Sequence, residues 1–281
     1  MRGWWQDLTD LVLPTECAGC GRPRAALCVE CRAALCGSVP RRVRPAPEPP
    51  GLPVVHAAAP YEDAVRAVLL AHKERGALGL AGPLGAALAE AVCGALRGES
   101  GVAGDTGAES WVVGTEDGSQ GCAVPLSLVP VPSARAAVRA RGHDPARRIA
   151  LAAAGELRRA GIPARVLAVL RQRRAVADQS GLGSRQRQAN LAGALEVTAG
   201  GGGLLAGGGR VVLVDDLMTT GASLAEAARV IREVCTQGNA RAHAVREPVT
   251  GAARSPVMSV ENRISAAVVA ASPESFEINR N

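Results

Sequence analysis

The chain has 281 residues, enough for one buried core with smaller attachments. Its residues are 47% hydrophobic but only 2% aromatic, so small aliphatic side chains must form a closely packed core. Lysine and arginine exceed aspartate and glutamate, 32 against 26, which favours anionic ligands and permits nucleic-acid contact without requiring it. No stretch approaches the roughly 20 consecutive apolar residues of a membrane span, and no signal peptide is evident. We therefore expect a cytoplasmic protein without a membrane span.

The first fifty residues are predicted to form an accessory element. Apolar residues recur at helical spacing over residues 4–13 and predict a short amphipathic helix. Two CxxC pairs follow, and residues 40–53 are rich in proline and arginine, as is typical of a linker. We expect an N-terminal element over residues 1–50 and the main domain over residues 51–281.

Strands and helices alternate along the main domain. This alternation predicts the α/β fold class, with a parallel sheet and helices on both of its faces. Two segments rich in glycine, residues 97–122 and 199–209, are expected to be flexible insertions. The polar, arginine-rich segment 171–192 is a candidate lid. The predicted helices are residues 61–70, 80–96, 145–160 and 222–234, and the predicted strands are residues 124–132, 165–170, 194–198, 211–214, 240–245 and 264–271.

The segment after the predicted strand 211–214 is the most informative. Two carboxylates, Asp215 and Asp216, end the strand, and a turn of small residues then opens a helix. The N–H groups and the dipole at a helix start attract anions, and threonine and serine hydroxyls donate to phosphate oxygens. Glycine in the turn lets the backbone approach a ligand closely. The candidate phosphate-binding residues are Thr219, Thr220, Gly221, Ala222 and Ser223.

The two acids need a separate explanation, because carboxylates repel a phosphate. Ligands of an open α/β sheet bind at the carboxyl ends of strands, where Asp215 and Asp216 are expected. Ligand hydroxyls that donate to them, or a bound Mg²⁺, would explain the pair. A sugar phosphate offers both the hydroxyl groups and, through its phosphate, a bound Mg²⁺. The alternative is that the acids are solvated and that Thr220 or Ser223 merely caps the helix.

Lys73 is the only lysine of the chain. An ammonium is a compact charge that can meet a phosphate oxygen in a narrow space, so Lys73 is a candidate ligand-binding residue. The alternative is a solvated lysine at the end of a helix. We assign no catalytic role to His143, because a histidine in a loop is more often a surface residue. Asp144 and Pro145 are expected to be the N-cap and the first residue of the following helix.

Four cysteines predict a structural Zn²⁺ site. Cys17 and Cys20, and then Cys28 and Cys31, form two CxxC pairs with seven residues between them. A closed site of four thiolates leaves no position for a substrate, so the metal would be structural. Four unliganded buried thiols are the alternative, and Cys36 could compete as a ligand. No role is assigned to the isolated Cys93, Cys122 and Cys235.

The order of these motifs resembles the ComF family, and residues 211–223 resemble the phosphoribosyl pyrophosphate signature of type I phosphoribosyltransferases. The family's aromatic residue and asparagine after the Arg-Gly step are replaced here by His143 and Asp144. The likeness covers most of the chain except the two insertions and residues 247–263. Its elements are the four cysteines, Val-Pro-Val-Pro at 129–132, Arg141-Gly142, a lid with Gln179 and Arg187-Gln188-Ala189-Asn190, and residues 215–223.

This resemblance implies a type I phosphoribosyltransferase-like fold that binds phosphoribosyl pyrophosphate. Asp215 and Asp216 would contact ribose hydroxyls, residues 219–223 would hold the 5′-phosphate, and Pro132 and Ser133 would face pyrophosphate with Mg²⁺. The implied reaction transfers phosphoribosyl to an unidentified nucleobase or amine, with Arg187 in the lid. The alternative is a non-catalytic adaptor that binds a nucleotide and works with a helicase in the uptake of single-stranded transforming DNA.

Overall fold

The structure is a computed structural model that describes residues 16–99, 125–174, 184–205, 209–245 and 263–279. The helix predicted over residues 4–13 and nearly all of the predicted insertion 97–122 lie outside the described residues, as does Gln179. The predicted domain boundary near residue 50 stays a prediction.

The described residues form alternating strands and helices with two short 3₁₀ turns, Leu78–Leu80 and Pro273–Asn279. The strands are β1 (Arg41–Val43), β2 (Val55–Pro60), β3 (Leu126–Pro130), β4 (Ala164–Val166), β5 (Leu170–Gln172), β6 (Leu195–Val197), β7 (Val211–Met218) and β8 (Ile264–Ala271). The helices are α1 (Val29–Cys36), α2 (Asp63–Glu74), α3 (Ala81–Glu99), α4 (Arg135–Arg141), α5 (Pro145–Arg159), α6 (Ser184–Leu191), α7 (Gly201–Leu205) and α8 (Ala222–Val245).

Six of the strands form one sheet in the order β1-β2-β8-β7-β3-β4. Strands β2, β8, β7, β3 and β4 are parallel to their neighbours, and β1 pairs antiparallel at the edge. Strands β5 and β6 form a separate antiparallel pair. The predicted α/β class is therefore confirmed at the level of a mostly parallel sheet with helices.

The strands alternate their side chains between two apolar layers. Val212 and Val214 of β7 pack on the side of α3 and α5, whereas Val211 and Leu213 pack on the side of α8. Helices α3 and α5 approach closely, since a Cβ atom on Gly85 would lie 2.4 Å from Ala152 Cβ. Small residues thus let the two helices pack closely against each other and against the sheet, as the composition predicts.

The predicted helix start at Asp144 and Pro145 is confirmed. Helix α5 begins at Pro145, and the Asp144 carboxylate accepts a hydrogen bond from the Arg147 N–H at 3.1 Å. The strands predicted at 194–198 and 264–271 are confirmed as β6 and β8. Strand β8 lies next to β7 in the middle of the sheet.

Two strand predictions are wrong. The segment 240–245 is the last part of α8, because its alternating alanines, which mimic a strand, are also the residues that best continue a helix. The segment 165–170 is not one strand but parts of two, β4 in the main sheet and β5 in the small one. A short apolar run does not reveal such a change of sheet.

Two segments predicted without regular structure have some. Arg41–Val43, within the predicted linker, is the edge strand β1. Residues 201–205, within the predicted insertion 199–209, form the short helix α7. Gly201 is buried there, and a Cβ atom on it would lie 2.8 Å from Val197 Cγ1, so close packing and not flexibility explains this glycine.

One described helical stretch, Leu78–Arg97, is long and apolar enough to cross a membrane by length and composition. From the sequence, no segment was expected to approach the length and apolarity of a membrane span. Of this stretch, 56% is buried inside the protein, where α3 packs on α5, β2 and β8. The core helix of a globular domain meets the same criterion, so the stretch is weak evidence for a membrane span.

Candidate functional site

The candidate site lies where the strand order reverses. From β3 the chain crosses through α5 to β4 on one side, and from β7 it crosses through α8 to β8 on the other. Such a reversal opens a crevice at the carboxyl ends of the two central strands. Pro130, the last residue of β3, pairs with Val214 of β7, so the rest of β7 projects beyond β3. Asp215 and Asp216 lie on this projecting part.

The two acids are held by hydrogen bonds and by Lys73. The Lys73 ammonium, at the end of α2, lies 2.8 Å from Asp216 Oδ2. The side chain of Asp216 is only 7% exposed and that of Lys73 is 32% exposed. The backbone N–H of Asp216 donates to Asp215 Oδ1 at 2.8 Å. The alternative of solvated acids is therefore wrong for Asp216, and Lys73 is an ion-pair partner and not a solvated helix end.

The pKa shifts reflect this crowding of charge. Burial raises the pKa of the Asp215 carboxyl well above its ordinary value, and the adjacent Asp216 raises it further, whereas Lys73 lowers it. Burial lowers the pKa of Lys73, but attraction by Asp216 and Asp215 outweighs it, so the net shift is upward. The ammonium therefore stays charged and offsets part of the negative charge that would repel a phosphate.

Gly221 shapes the turn between β7 and α8. Its φ of 71° lies in the left-handed region that favours glycine. A Cβ atom on it would lie 3.1 Å from Leu52 Cδ1 and 3.3 Å from Pro45 Cγ. Its carbonyl accepts the first hydrogen bond of the helix, from the Ala225 N–H at 2.9 Å. The N–H groups that precede Ala225 have no acceptor within the helix and are available to an anion.

A pocket of about 230 Å³ borders this turn. Thr219 is exposed and Thr220 half-buried at its edge. The opposite walls come from the segment before β2 and from the 3₁₀ turn after β8, which are tied together by the Arg44 N–H donating to the Ser275 carbonyl at 3.0 Å. The lining residues are Pro45, Ala46, Pro47, Thr219, Thr220, Ser272, Glu274 and Ser275.

The other predicted ligand-binding residues lie on elements that meet this edge. Pro132 and Ser133 are half-buried in the turn after β3, where the Val131 N–H donates to the Val214 carbonyl at 2.9 Å. Arg187 belongs to α6, although its side chain lies outside the described residues. Leu191 at the end of α6 packs against Ala222 at the start of α8. Part of the candidate lid therefore abuts the turn.

A second charged pair lies beside Lys73 and was missed from the sequence. The Arg141 guanidinium donates to both carboxylate oxygens of Glu74, at 3.0 and 3.1 Å. His143 is half-buried, and its ring lies edge-on to the buried His72 at 5.7 Å between centroids. His143 is therefore a partly covered residue with specific contacts, and nothing in its described surroundings makes it a catalytic base. The motif Arg141-Gly142 indicated a turn here, but the sequence did not indicate that this turn contacts His72 and Glu74.

The four predicted cysteines meet at one point. The sulfur atoms of Cys17, Cys20, Cys28 and Cys31 all lie within 4.8 Å of one another, and the Cys20 and Cys28 sulfurs are 3.6 Å apart. Four thiolates around a tetrahedral Zn²⁺ stand about 3.8 Å apart, given a Zn–S distance of about 2.3 Å. The cluster therefore fits a metal such as zinc.

The chemistry of the cluster agrees with its geometry. Burial raises the pKa of Cys17, but hydrogen bonds from backbone N–H groups outweigh it and lower the pKa to about 6. One of these donors is the Cys28 N–H, at 3.3 Å from the Cys17 sulfur. Burial raises the pKa of Cys31, which a metal would have to overcome by stabilising its thiolate. Cys36 lies outside this cluster and its sulfur donates to the Pro83 carbonyl at 3.8 Å. It is therefore not a competing ligand.

No protein-family model matches this chain, and no curated protein matches it. What the site binds is accordingly inferred from its own residues and their geometry.

Proposed function

We propose that this chain is a ComF-like protein that binds phosphoribosyl pyrophosphate with Mg²⁺ at the edge between β7 and α8 and transfers phosphoribosyl to a nucleobase or amine. One observation carries the proposal. A buried acid paired with the only lysine lies in the strand that leads, through a turn with Gly221, into a helix of 24 residues. An anion-binding turn and hydroxyl acceptors side by side match a phosphorylated sugar.

Different residues would contact different parts of the ligand. The helix start at residues 219–223 would hold the 5′-phosphate, and the carboxylates of Asp215 and Asp216 would accept hydrogen bonds from the ribose hydroxyls. The turn with Pro132 and Ser133, across the crevice, would face pyrophosphate and its Mg²⁺. Lys73 keeps the net charge beside the phosphate low enough for an anion to enter.

The same groups suit the proposed reaction. The bond between ribose carbon 1 and pyrophosphate breaks while a bond from the acceptor nitrogen to carbon 1 forms, through a positively charged, oxocarbenium-like state. The carboxylates of Asp215 and Asp216 would stabilise that charge, and Mg²⁺ would neutralise the leaving pyrophosphate. The segment from β5 through α6, which carries Arg187, would close over the ligand and exclude water.

Binding is the first test. Calorimetric titration of the wild-type chain with phosphoribosyl pyrophosphate and Mg²⁺ should give saturable binding, and the double variant Asp215→Asn with Asp216→Asn should bind at least about tenfold more weakly, a loss of about 1.4 kcal/mol. Asp144→Asn is the matched control, because asparagine also caps a helix start and Asp144 lies outside the turn. No binding by the wild-type chain contradicts the proposal.

Turnover separates catalysis from an adaptor role. With Mg²⁺ and a panel of nucleobases and amines, the wild-type chain should release pyrophosphate and the double variant should not. Binding without any release favours the non-catalytic alternative, in which nucleotide binding supports a helicase that acts on single-stranded DNA. The four-cysteine cluster, proposed to hold structural Zn²⁺, would then serve a protein partner.

A further inference from the structure

Lys73 lies between two residues that are both held by one turn. On its N-terminal side is His72 and on its C-terminal side is Glu74, at the last turn of α2. The turn is Arg141-Gly142-His143, in which Gly142 has a φ of 76° and ends α4. The contacts span about 70 residues of sequence, so they fix the end of α2 to a distant part of the chain.

His143 bridges two backbone carbonyls. Its Nε2 lies 3.2 Å from the His72 carbonyl and its Nδ1 lies 3.2 Å from the Arg141 carbonyl. The His72 carbonyl is one of the last four of α2, which have no N–H partner inside the helix. A carbonyl oxygen only accepts a hydrogen bond, so the ring holds the His72 carbonyl in the tautomer that carries its N–H on Nε2. The ring thus holds the backbone directly before Lys73.

Arg141 holds the residue after Lys73. Its guanidinium meets the Glu74 carboxylate with two parallel hydrogen bonds, a geometry that fixes orientation as well as distance. The Arg141 side chain is 20% exposed and that of Glu74 is 48% exposed, so solvent screens part of the attraction and the pair acts mainly by fixing orientation. Together with His143 it fixes the backbone on both sides of the lysine.

We propose that Arg141 and His143 are positioning residues that hold the end of α2 so that the Lys73 ammonium meets Asp216. The lysine side chain has four rotatable bonds and is 32% exposed, so its own packing does not fully fix it. A fixed backbone on both sides limits where its ammonium can go. The role in ligand binding rests on the proposed function, whereas the placement of Lys73 does not.

The test uses Lys73 as the only lysine of the chain. An amine-acylating reagent modifies it and the N-terminus alone, and peptide mass spectrometry separates the two. His143→Phe keeps a ring against His72 but removes the N–H donor to the His72 carbonyl, and Arg141→Gln removes the two-bond pair with Glu74. Both variants should acylate Lys73 several-fold faster than the wild type, since a loosened ion pair leaves more neutral, accessible amine.

Two further variants define the mechanism. His143→Gln keeps an N–H donor and should restore part of the slow rate, an effect that loss of packing alone would not produce. Arg139→Ala, an exposed change on the same helix, should react at the wild-type rate. If His143→Phe does not fold, Glu74→Gln takes its place, because Glu74 is 48% exposed and its loss should be tolerated.

The outcomes separate this inference from the proposed function. Wild-type acylation rates in both Arg141→Gln and His143→Phe, or in Glu74→Gln where it replaces the latter, would overturn the positioning role. Faster acylation supports it, even in a chain that fails to bind phosphoribosyl pyrophosphate. Where the wild-type chain does bind that ligand, the fast-acylating variants should also bind it several-fold more weakly, while Arg139→Ala binds it normally.

Discussion

At Gly221 both the backbone conformation and the packing of neighbouring side chains favour glycine. Its left-handed φ disfavours a residue with a side chain, and Leu52 and Pro45 crowd the place that a Cβ atom would take. The residue therefore both turns the chain out of β7 and lets the segment before β2 lie against the turn.

Gly221→Ala should lower the free energy of unfolding by about 2–3 kcal/mol. A left-handed alanine costs about 1–2 kcal/mol, and the crowding against Leu52 adds to it. Gly161→Ala is the matched control, because its φ of 82° is equally left-handed but nothing lies within 4 Å of its Cβ position. Urea titration of both variants checks this. Equal losses would show that Leu52 and Pro45 yield to the added methyl group.

Residues of the site differed in how far sequence could predict them. Asp215, Asp216 and Gly221 are neighbours in the chain, so the local pattern of strand, acids and small-residue turn revealed them together. Lys73 was notable only as the single lysine, and its partner Asp216 lies 143 residues away. No local periodicity reports such a contact. For the same reason the bond from His143 to the end of α2 could not be foreseen.

Among the helices, the contact between α3 and α5 depends on one glycine. A Cβ atom on Gly85 would lie 2.4 Å from Ala152 Cβ and 2.8 Å from the Ala153 backbone nitrogen. A helix backbone cannot move aside as a flexible side chain can. The two helices also cover β2, β3, β7 and β8, so the spacing between them sets the packing of a whole face of the sheet.

We expect Gly85→Ala to destabilise the protein by about 1–3 kcal/mol, because the helices must separate to accept the methyl group. Gly82→Ala, in the same helix, should leave stability unchanged or raise it by up to about 1 kcal/mol, since it is exposed and nothing lies within 4 Å of its Cβ position. The two free energies of unfolding, measured by urea titration, decide the matter. An unchanged free energy of unfolding in Gly85→Ala would mean that α3 can shift along α5 without loss of stability.

The cysteine cluster stabilises a small element that lacks its own core. Cys17, Cys28 and Cys31 are buried together with Ala64 in the first turn of α2 packed against them. Gly19 also lies close, because a Cβ atom on it would meet Cys31 Sγ at 2.6 Å. A metal held there would fasten the segment of Cys17 and Cys20 to α1, and Ala64 packs this element against the beginning of α2.

Purified protein should contain about one Zn²⁺ per chain. Cys28→Ser should lose the metal, whereas Cys36→Ser should keep it, because the Cys36 sulfur contacts Pro83 and not the cluster. Metal analysis by atomic emission measures both. A chelator should lower the melting temperature of the wild type but not of Cys28→Ser, since binding to the folded state alone stabilises it. Equal zinc contents in the two serine variants would contradict the site.

Elements were predicted where one local signal was present and missed where two signals competed. The Asp144 cap indicates only a helix start, and the apolar runs of β7 and β8 indicate only buried strands, so these elements were predicted correctly. The alternating segment 240–245 satisfied both a strand pattern and helix propensity, and continuity with α8 decided it. The strand order, which creates the crevice, is a property of the assembled sheet and no single segment carries it.

For the molecule as a whole, two buried histidines link stability to pH. His56 and His72 are both at least 90% buried, and each has one ring nitrogen without a hydrogen-bond partner. Burial lowers the pKa of both below the ordinary 6.5. Nearby Arg42 and Arg97 lower that of His56 further, whereas the Ala77 carbonyl partly opposes the shift at His72.

The folded state should therefore lose stability as the pH falls below about 6.5, because the unfolded chain takes up these protons first. Above that pH both histidines are neutral in either state and their contribution is constant. The variant His56→Leu with His72→Leu should show a flatter pH dependence of the unfolding free energy between about pH 7 and 5. Subtracting its curve from the wild-type curve removes the effect of carboxylates and thiolates. Parallel curves would contradict the assignment.

The two edges of the main sheet have a further consequence for the behaviour of the protein in solution. At one edge is β1, and at the other is β4, and each has only three residues. The side chains there include the exposed Arg41 and Arg42, and Arg165, which donates to Ser127. Short, charged edges give an incoming strand little to pair with. A sheet whose central strands are mostly alanine, valine and leucine is thereby protected from pairing, edge to edge, with other copies of itself.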